Sequence, residues 1–174
     1  MIQKSDDSGF EEVLDWRALL YMSSILARLF GKATCNTIFF MLGVAEGYKI
    51  SNLLLQKLNL STTENGLDIN GVLKELTKIL VESNYVERFW FFESKIPNDN
   101  VKEYHVRVSN NAILSMLLEQ DHNVDERENS LFCNFMRGIL KSIFTKFLGH
   151  YVQIIESECQ LKNKQFCEYV IRKA

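Results

Sequence analysis

Cys133, Glu156, Cys159 and Cys167, clustered toward the end of a 174-residue chain, combine the side chains that bind a soft divalent metal. Thiolate sulfur is polarisable and selects zinc over calcium or magnesium. Three thiolates and one carboxylate make a closed four-ligand set that suits a structural zinc, with no position left for a reacting water. The intervals are not those of a short C-x-x-C knuckle, so two other readings stand beside the metal. The cysteines can be buried as small, inert hydrophobes, or Cys159 and Cys167 can form a disulfide. Glu158 is a second candidate carboxylate, because residues two apart on a strand point to the same side.

Any of these readings needs particular elements around it. The end of the chain reads as a hairpin, "YVQIIESEC", turn "QLKNKQF", then "CEYVIRKA", which brings Cys159 to Cys167. Cys133 lies in the first turn of a long helix, "LFCNFMRGILKSIFTKFL", capped by Ser130 and ended by Gly149. If that helix starts near the hairpin tip, Cys133 joins the other two. Upstream, apolar residues at helical intervals predict a helix over 10–30, ended by Gly31. A second starts near residue 33 or 34, is interrupted at Gly43 and Gly47 for close packing or a bend, and is followed by a short helix, "ISNLLLQKL". A further helix, "GVLKELTKILVESN", is capped by Asn70. Residues 85–94 and 101–109 alternate as an antiparallel hairpin across "KIPNDN". "NNAILSMLLEQ" is a short helix and "DHNVDEREN" a polar linker. The order predicts an α+β fold: an antiparallel sheet from two hairpins, packed against several helices. Residues 1–9 are expected to be a flexible tail, and 10–174 a single domain.

Composition narrows the function. The chain is 47% hydrophobic with a net charge of -2, enough for a core and without the basic field that favours nucleic acid. The N-terminus lacks the apolar run of a secretory signal, and no stretch of eighteen apolar residues predicts membrane insertion. Four cysteines are too sparse for a disulfide scaffold, which points to reduced thiols or metal ligands in the cytoplasm. No phosphate loop, H-E-x-x-H or Ser-His-Asp order assigns a reaction. Cys35, at a helix start, reads first as a core cysteine. His105 lies on the outward phase of its strand, His122 in the linker and His150 at the last hairpin.

The segment "SLFCNFMRGILKSIFTKFLGHYVQIIESECQLKNKQFCEYVI" is similar to the signature end of the 4-vinyl reductase domain family. The likeness rests on Cys133, Gly138, Gly149, "ESEC" at 156–159 and Cys167. That family resembles, in fold, a subunit family of the TRAPP tethering complex and haem-based nitric-oxide sensors. The resemblance implies that Cys133, Glu156, Cys159 and Cys167 hold zinc. The family usually has Gly-Asp in the last turn where this chain has "LKNKQFC"; Asn163 tolerates the left-handed backbone required there. The resemblance further implies a small-molecule sensor without catalysis of its own, holding an apolar compound between helices and sheet. Candidate walls are Phe89, Trp90, Phe91, Phe92, Tyr104, Met116, Phe132, Met136 and Phe144, each of which also reads as plain core. Apolar residues on the first helices (Trp16, Leu20, Tyr21, Ile25, Leu26, Phe39, Phe40 and Leu42) are expected to pair two copies. The alternative function is a structural adaptor, a homodimer or part of a larger assembly, with a filled core. Without an output domain, either role calls for a regulatory protein partner.

Overall fold

The alternating residues build one sheet. In a computed structural model, β1 (Arg88–Lys95) and β2 (Lys102–Ser109) pair antiparallel, with Phe89 opposite Val108 and Phe91 opposite Val106. β3 (Val152–Glu158) and β4 (Cys167–Lys173) form the second hairpin. β2 and β4 join the two, giving the order β1-β2-β4-β3. The structure describes residues 25–59, 68–95, 102–110, 131–149, 151–160 and 164–173. The expected tail, most of the first helix, the short helix carrying Met116, the polar linker, Ser130, His122 and His150 lie outside them.

One face of the sheet is apolar. Phe89, Tyr104, Val106, Val108, Cys167, Tyr169, Ile171 and Val152 point to it and are buried. Against it lies α3 (Leu131–Leu148), which buries Phe132, Phe135, Met136, Ile139, Leu140, Ile143, Phe144 and Phe147. The helix is buried on more than one side because α1 (Lys32–Lys57) packs on its back. α2 (Ile69–Glu82) packs on β1 and α1 and contributes Val72, Leu73, Leu76, Ile79 and Leu80 to the same core. The expected α+β arrangement of hairpins and helices is the one observed.

The differences from the sequence expectation have local causes. The second and third helices are one continuous α1, and Gly43 and Gly47 do not break it. Glycine costs a helix roughly 1 kcal/mol against alanine, but here it lets two backbones touch. A side chain at Gly43 would strike the Phe135 carbonyl, and one at Gly138 the Phe40 carbonyl. At Gly47 a Cβ would lie 2.6 Å from the Ile139 oxygen. The cap of α2 is Asp68, whose carboxylate accepts from the Asn70 N–H at 3.0 Å, and not Asn70 itself. Gly31 (φ 80°) separates helical residues 25–30 from α1, and Gly149 (φ 69°) follows α3, both in the left-handed region expected of helix-ending glycines. β1 starts at Arg88 because the Tyr85 N–H is taken by the Leu80 carbonyl at 2.9 Å.

α1 is long and apolar enough by length and composition to cross a membrane, which the count of uninterrupted apolar residues did not anticipate. Its Cys35, Phe39, Gly43, Gly47, Ile50 and Leu54 face is buried inside the fold. Its other face exposes Met41, Leu42 and Tyr48.

Candidate metal centre

Three elements converge at one end of the sheet. Cys133 sits in the first turn of α3, Cys159 just beyond β3, and Cys167 at the start of β4. All three are buried, and Glu156 on β3 is half-buried beside them. One ligand atom from each of Cys133, Glu156, Cys159 and Cys167 lies within 4.8 Å of the others. The Cys133 sulfur is 3.6 Å from that of Cys159 and 3.7 Å from that of Cys167. Tetrahedral zinc with bonds of about 2.3 Å to sulfur sets neighbouring sulfurs about 3.8 Å apart. The observed separations fit that edge. None of the four cysteines is in a disulfide, so the Cys159–Cys167 bond considered from sequence is absent.

The rival carboxylate is removed by a bulge. The register shifts between Glu156 and Glu158, so that Glu156 faces Tyr169 while Glu158 falls opposite Glu168. Glu158 pairs instead with Lys164 at 3.6 Å. Regular alternation would have turned both glutamates the same way; the extra residue of the bulge breaks it.

The surroundings suit a cation. Contact with the Cys159 and Cys167 thiols, then burial, pushes the Cys133 thiol well above its ordinary range. At Cys167 the Cys133 contact pulls the other way, but the Cys159 contact and burial prevail and raise the thiol to about 12. Clustered thiols without a counter-charge keep their protons; a divalent ion supplies the charge that releases them. The Gln160 backbone N–H points at the Cys167 sulfur from 3.3 Å, an arrangement that favours the thiolate form. The Gln160 side chain accepts from the Asn110 N–H at 3.2 Å, and Asn110 donates to the Tyr85 carbonyl at 2.9 Å. Gln160 thereby ties the cluster to both flanks of the first hairpin, Tyr85 ahead of β1 and Asn110 just after β2. Tyr169, fully buried behind the cluster, directs its hydroxyl at the Cys133 carbonyl from 3.5 Å. Of these supporting residues only Tyr169 had a sequence signal, its inward phase two residues after Cys167. Nothing in the sequence marked Gln160 or Asn110.

The expected pocket walls divide. Phe89, Tyr104, Phe132, Met136 and Phe144 are buried in the common core, with Tyr104 and Phe144 ring centroids 5.5 Å apart, and Phe91 packs at its margin. Trp90 and Phe92 require correction as interior walls. They take the opposite phase of β1 and lie exposed on the outer face. Met116 lies outside the described residues. His105 is on that outer face, as its phase predicted, stacked on Phe92 at 4.6 Å and bonded to Ser94 at 2.9 Å. Cys35 is a core residue whose thiol is pushed up by burial.

No family model and no curated protein matches this sequence. Solved structures do match its fold. One is the phenol-responsive sensory domain of the transcription activator PoxR with phenol, at TM-score 0.72 and 15% identity, covering 94% of this chain and 76% of that one. Another is a trafficking protein particle complex subunit 3 from Naegleria fowleri, covalently bound to palmitic acid, at TM-score 0.60 and 16% identity, covering 91% of this chain and 93% of that one. The 4-vinyl reductase resemblance thus narrows to a likeness of fold: this chain has the architecture of TRAPP-subunit and PoxR-sensor-like domains.

Proposed function

We propose that this protein is a zinc-stabilised domain that binds a small apolar molecule and performs no catalysis of its own. The convergence of Cys133, Glu156, Cys159 and Cys167 on one point carries the zinc half of the reading. Zinc there would cross-link the start of α3 to the terminal hairpin and add its binding energy to folding. The ligand half is supported by the two matched folds, one described with phenol and the other with palmitic acid. The ligand would sit between α3 and the inner sheet face, against Phe89, Tyr104, Phe132, Met136 and Phe144. Elemental analysis of protein purified without chelators is expected to give about one zinc per chain, and Cys167→Ala to lower both that content and the melting temperature. Native mass spectrometry is expected to show a co-purified apolar molecule. Metal-free protein of undiminished stability would defeat the zinc assignment, and a chain mass without adduct the ligand assignment.

A second reading, a homodimeric adaptor that acts through a regulatory partner, rests on a separate observation. Met41 and Tyr48 are each 58% exposed and lie seven residues apart on the side of α1 turned away from α3, with Leu42 beside them. Leu29 and Phe30, in the helical residues just before α1, are exposed as well. That side offers the apolar stripe two helices need to pair.

A further inference from the structure

The outer face of an antiparallel sheet is ordinarily polar and wet. Here it carries three aromatic rings and two guanidinium groups around one groove. Arg88, Trp90, Phe92, Arg107, Gln165 and Phe166 contribute to a concavity of about 610 Å³. Arg107 lies between two rings, 5.0 Å from the Phe92 centroid and 4.6 Å from that of Phe166. Trp90 meets Phe166 edge-on at 6.4 Å and keeps 42% of its surface exposed. The groove lies on the opposite side of the sheet from the zinc cluster: Cys167 points inward and its neighbour Glu168 outward.

We propose that this groove binds a flat, singly charged organic anion, such as an aromatic carboxylate. The charge follows from the lining. Arg107 is ion-paired with Glu168, whose side chain also accepts from Ser157 at 3.1 Å. Arg88 makes no ion pair with any described residue, so among the described residues it is the guanidinium of the lining left open to a carboxylate. The flat body follows from the partly exposed indole of Trp90 and from the cation–π stack, which holds Arg107 and Phe166 in a fixed wall before a ligand arrives. The size follows from the volume, within the roughly 300–1,000 Å³ of small-ligand sites. A guanidinium with a carboxylate and a ring against an indole are each modest when exposed to water; together, in a preformed groove, they discriminate an aromatic acid from its neutral isostere.

The test uses the 174-residue chain in low salt. Its two tryptophans give two indole N–H resonances, and the Trp90 signal is assigned by its loss in Trp90→Phe. Titration with naphthoate is expected to shift the Trp90 resonance saturably. Arg88→Ala, a change at an exposed position, is expected to weaken that binding by about fivefold or more, as is replacing naphthoate with its neutral amide. Equal binding of acid and amide, an unaffected Arg88→Ala protein, or no saturable shift would each overturn the proposal. So would tighter binding of a blocked Glu-Phe-Glu tripeptide than of naphthoate, which would make the groove a docking site for an acidic protein segment.

Discussion

At the scale of single residues, the cluster separates two glutamates that share a strand. Glu156 lies among the sulfurs, while Glu158 belongs to an exposed ion pair with Lys164. Exposed pairs of that kind contribute about 0–1 kcal/mol. Glu156→Gln is therefore expected to weaken zinc binding by about tenfold or more in a chelator competition, since the neutral amide brings neither charge nor a strong ligand. Glu158→Gln is expected to leave the chelator curve in place. Acid should act in the same direction as Glu156→Gln. The metal-free Cys133 and Cys167 thiols hold their protons above the ordinary thiol range, so both must lose a proton as the ion enters. Zinc binding should release protons, and zinc should be lost as pH falls. A chelator curve that does not move with pH would contradict a thiolate site.

The crossing of α1 and α3 governs behaviour at the scale of elements. Gly43, Gly47 and Gly138 remove the side chains that would hold these helices apart, and α3 then carries Cys133 to the hairpin. Because the atoms a new Cβ would meet at Gly138 are backbone, neither helix can yield by turning a rotamer. Gly138→Ala is expected to destabilise the protein by about 1–3 kcal/mol, the usual cost of overpacking. For a domain of this size that lowers the melting temperature by roughly 2–4 °C per kcal/mol. The gain in helix propensity from alanine works against the loss but is smaller, about 1 kcal/mol. A melting temperature that rises in Gly138→Ala would contradict this close crossing of α1 and α3.

The whole molecule presents two unlike surfaces. The outer sheet face is aromatic and cationic at one groove, whereas the side of α1 turned away from α3 exposes the apolar Met41, Leu42 and Tyr48, with the charge of Lys49 at its edge paired to Glu46. If α1 pairs two copies, Met41→Glu with Tyr48→Glu should place like charges across the interface and halve the mass seen by light scattering at micromolar protein, without loss of helical circular dichroism. A mass of one chain in the unmutated protein would remove the dimer. The two surfaces are on different elements, so the glutamate changes should leave naphthoate binding at the groove unaltered.

Periodicity made the hairpins, the long amphipathic α3 and its glycine stop readable from sequence, because alternation and helical spacing are set by local backbone geometry. The approach of Cys159 to Cys167 was legible for the same reason, because a hairpin brings the residues on either side of its turn together; that Cys133 joins them depended on where α3 starts. Which glutamate joins them was not, since a bulge moves the register by one residue and leaves no mark in composition. Nor could spacing tell that Gly43 and Gly47 lie inside an unbroken helix, because the partner that requires them, α3, is some ninety residues away in the chain. Trp90 and Phe92 were legible as strand residues, but their side of the sheet was settled only when Phe89 and Phe91 took the core. Local chemistry decided the elements and the ligand types; long-range packing decided which side chains meet, because a contact distant in sequence is chosen by the shapes of both partners at once.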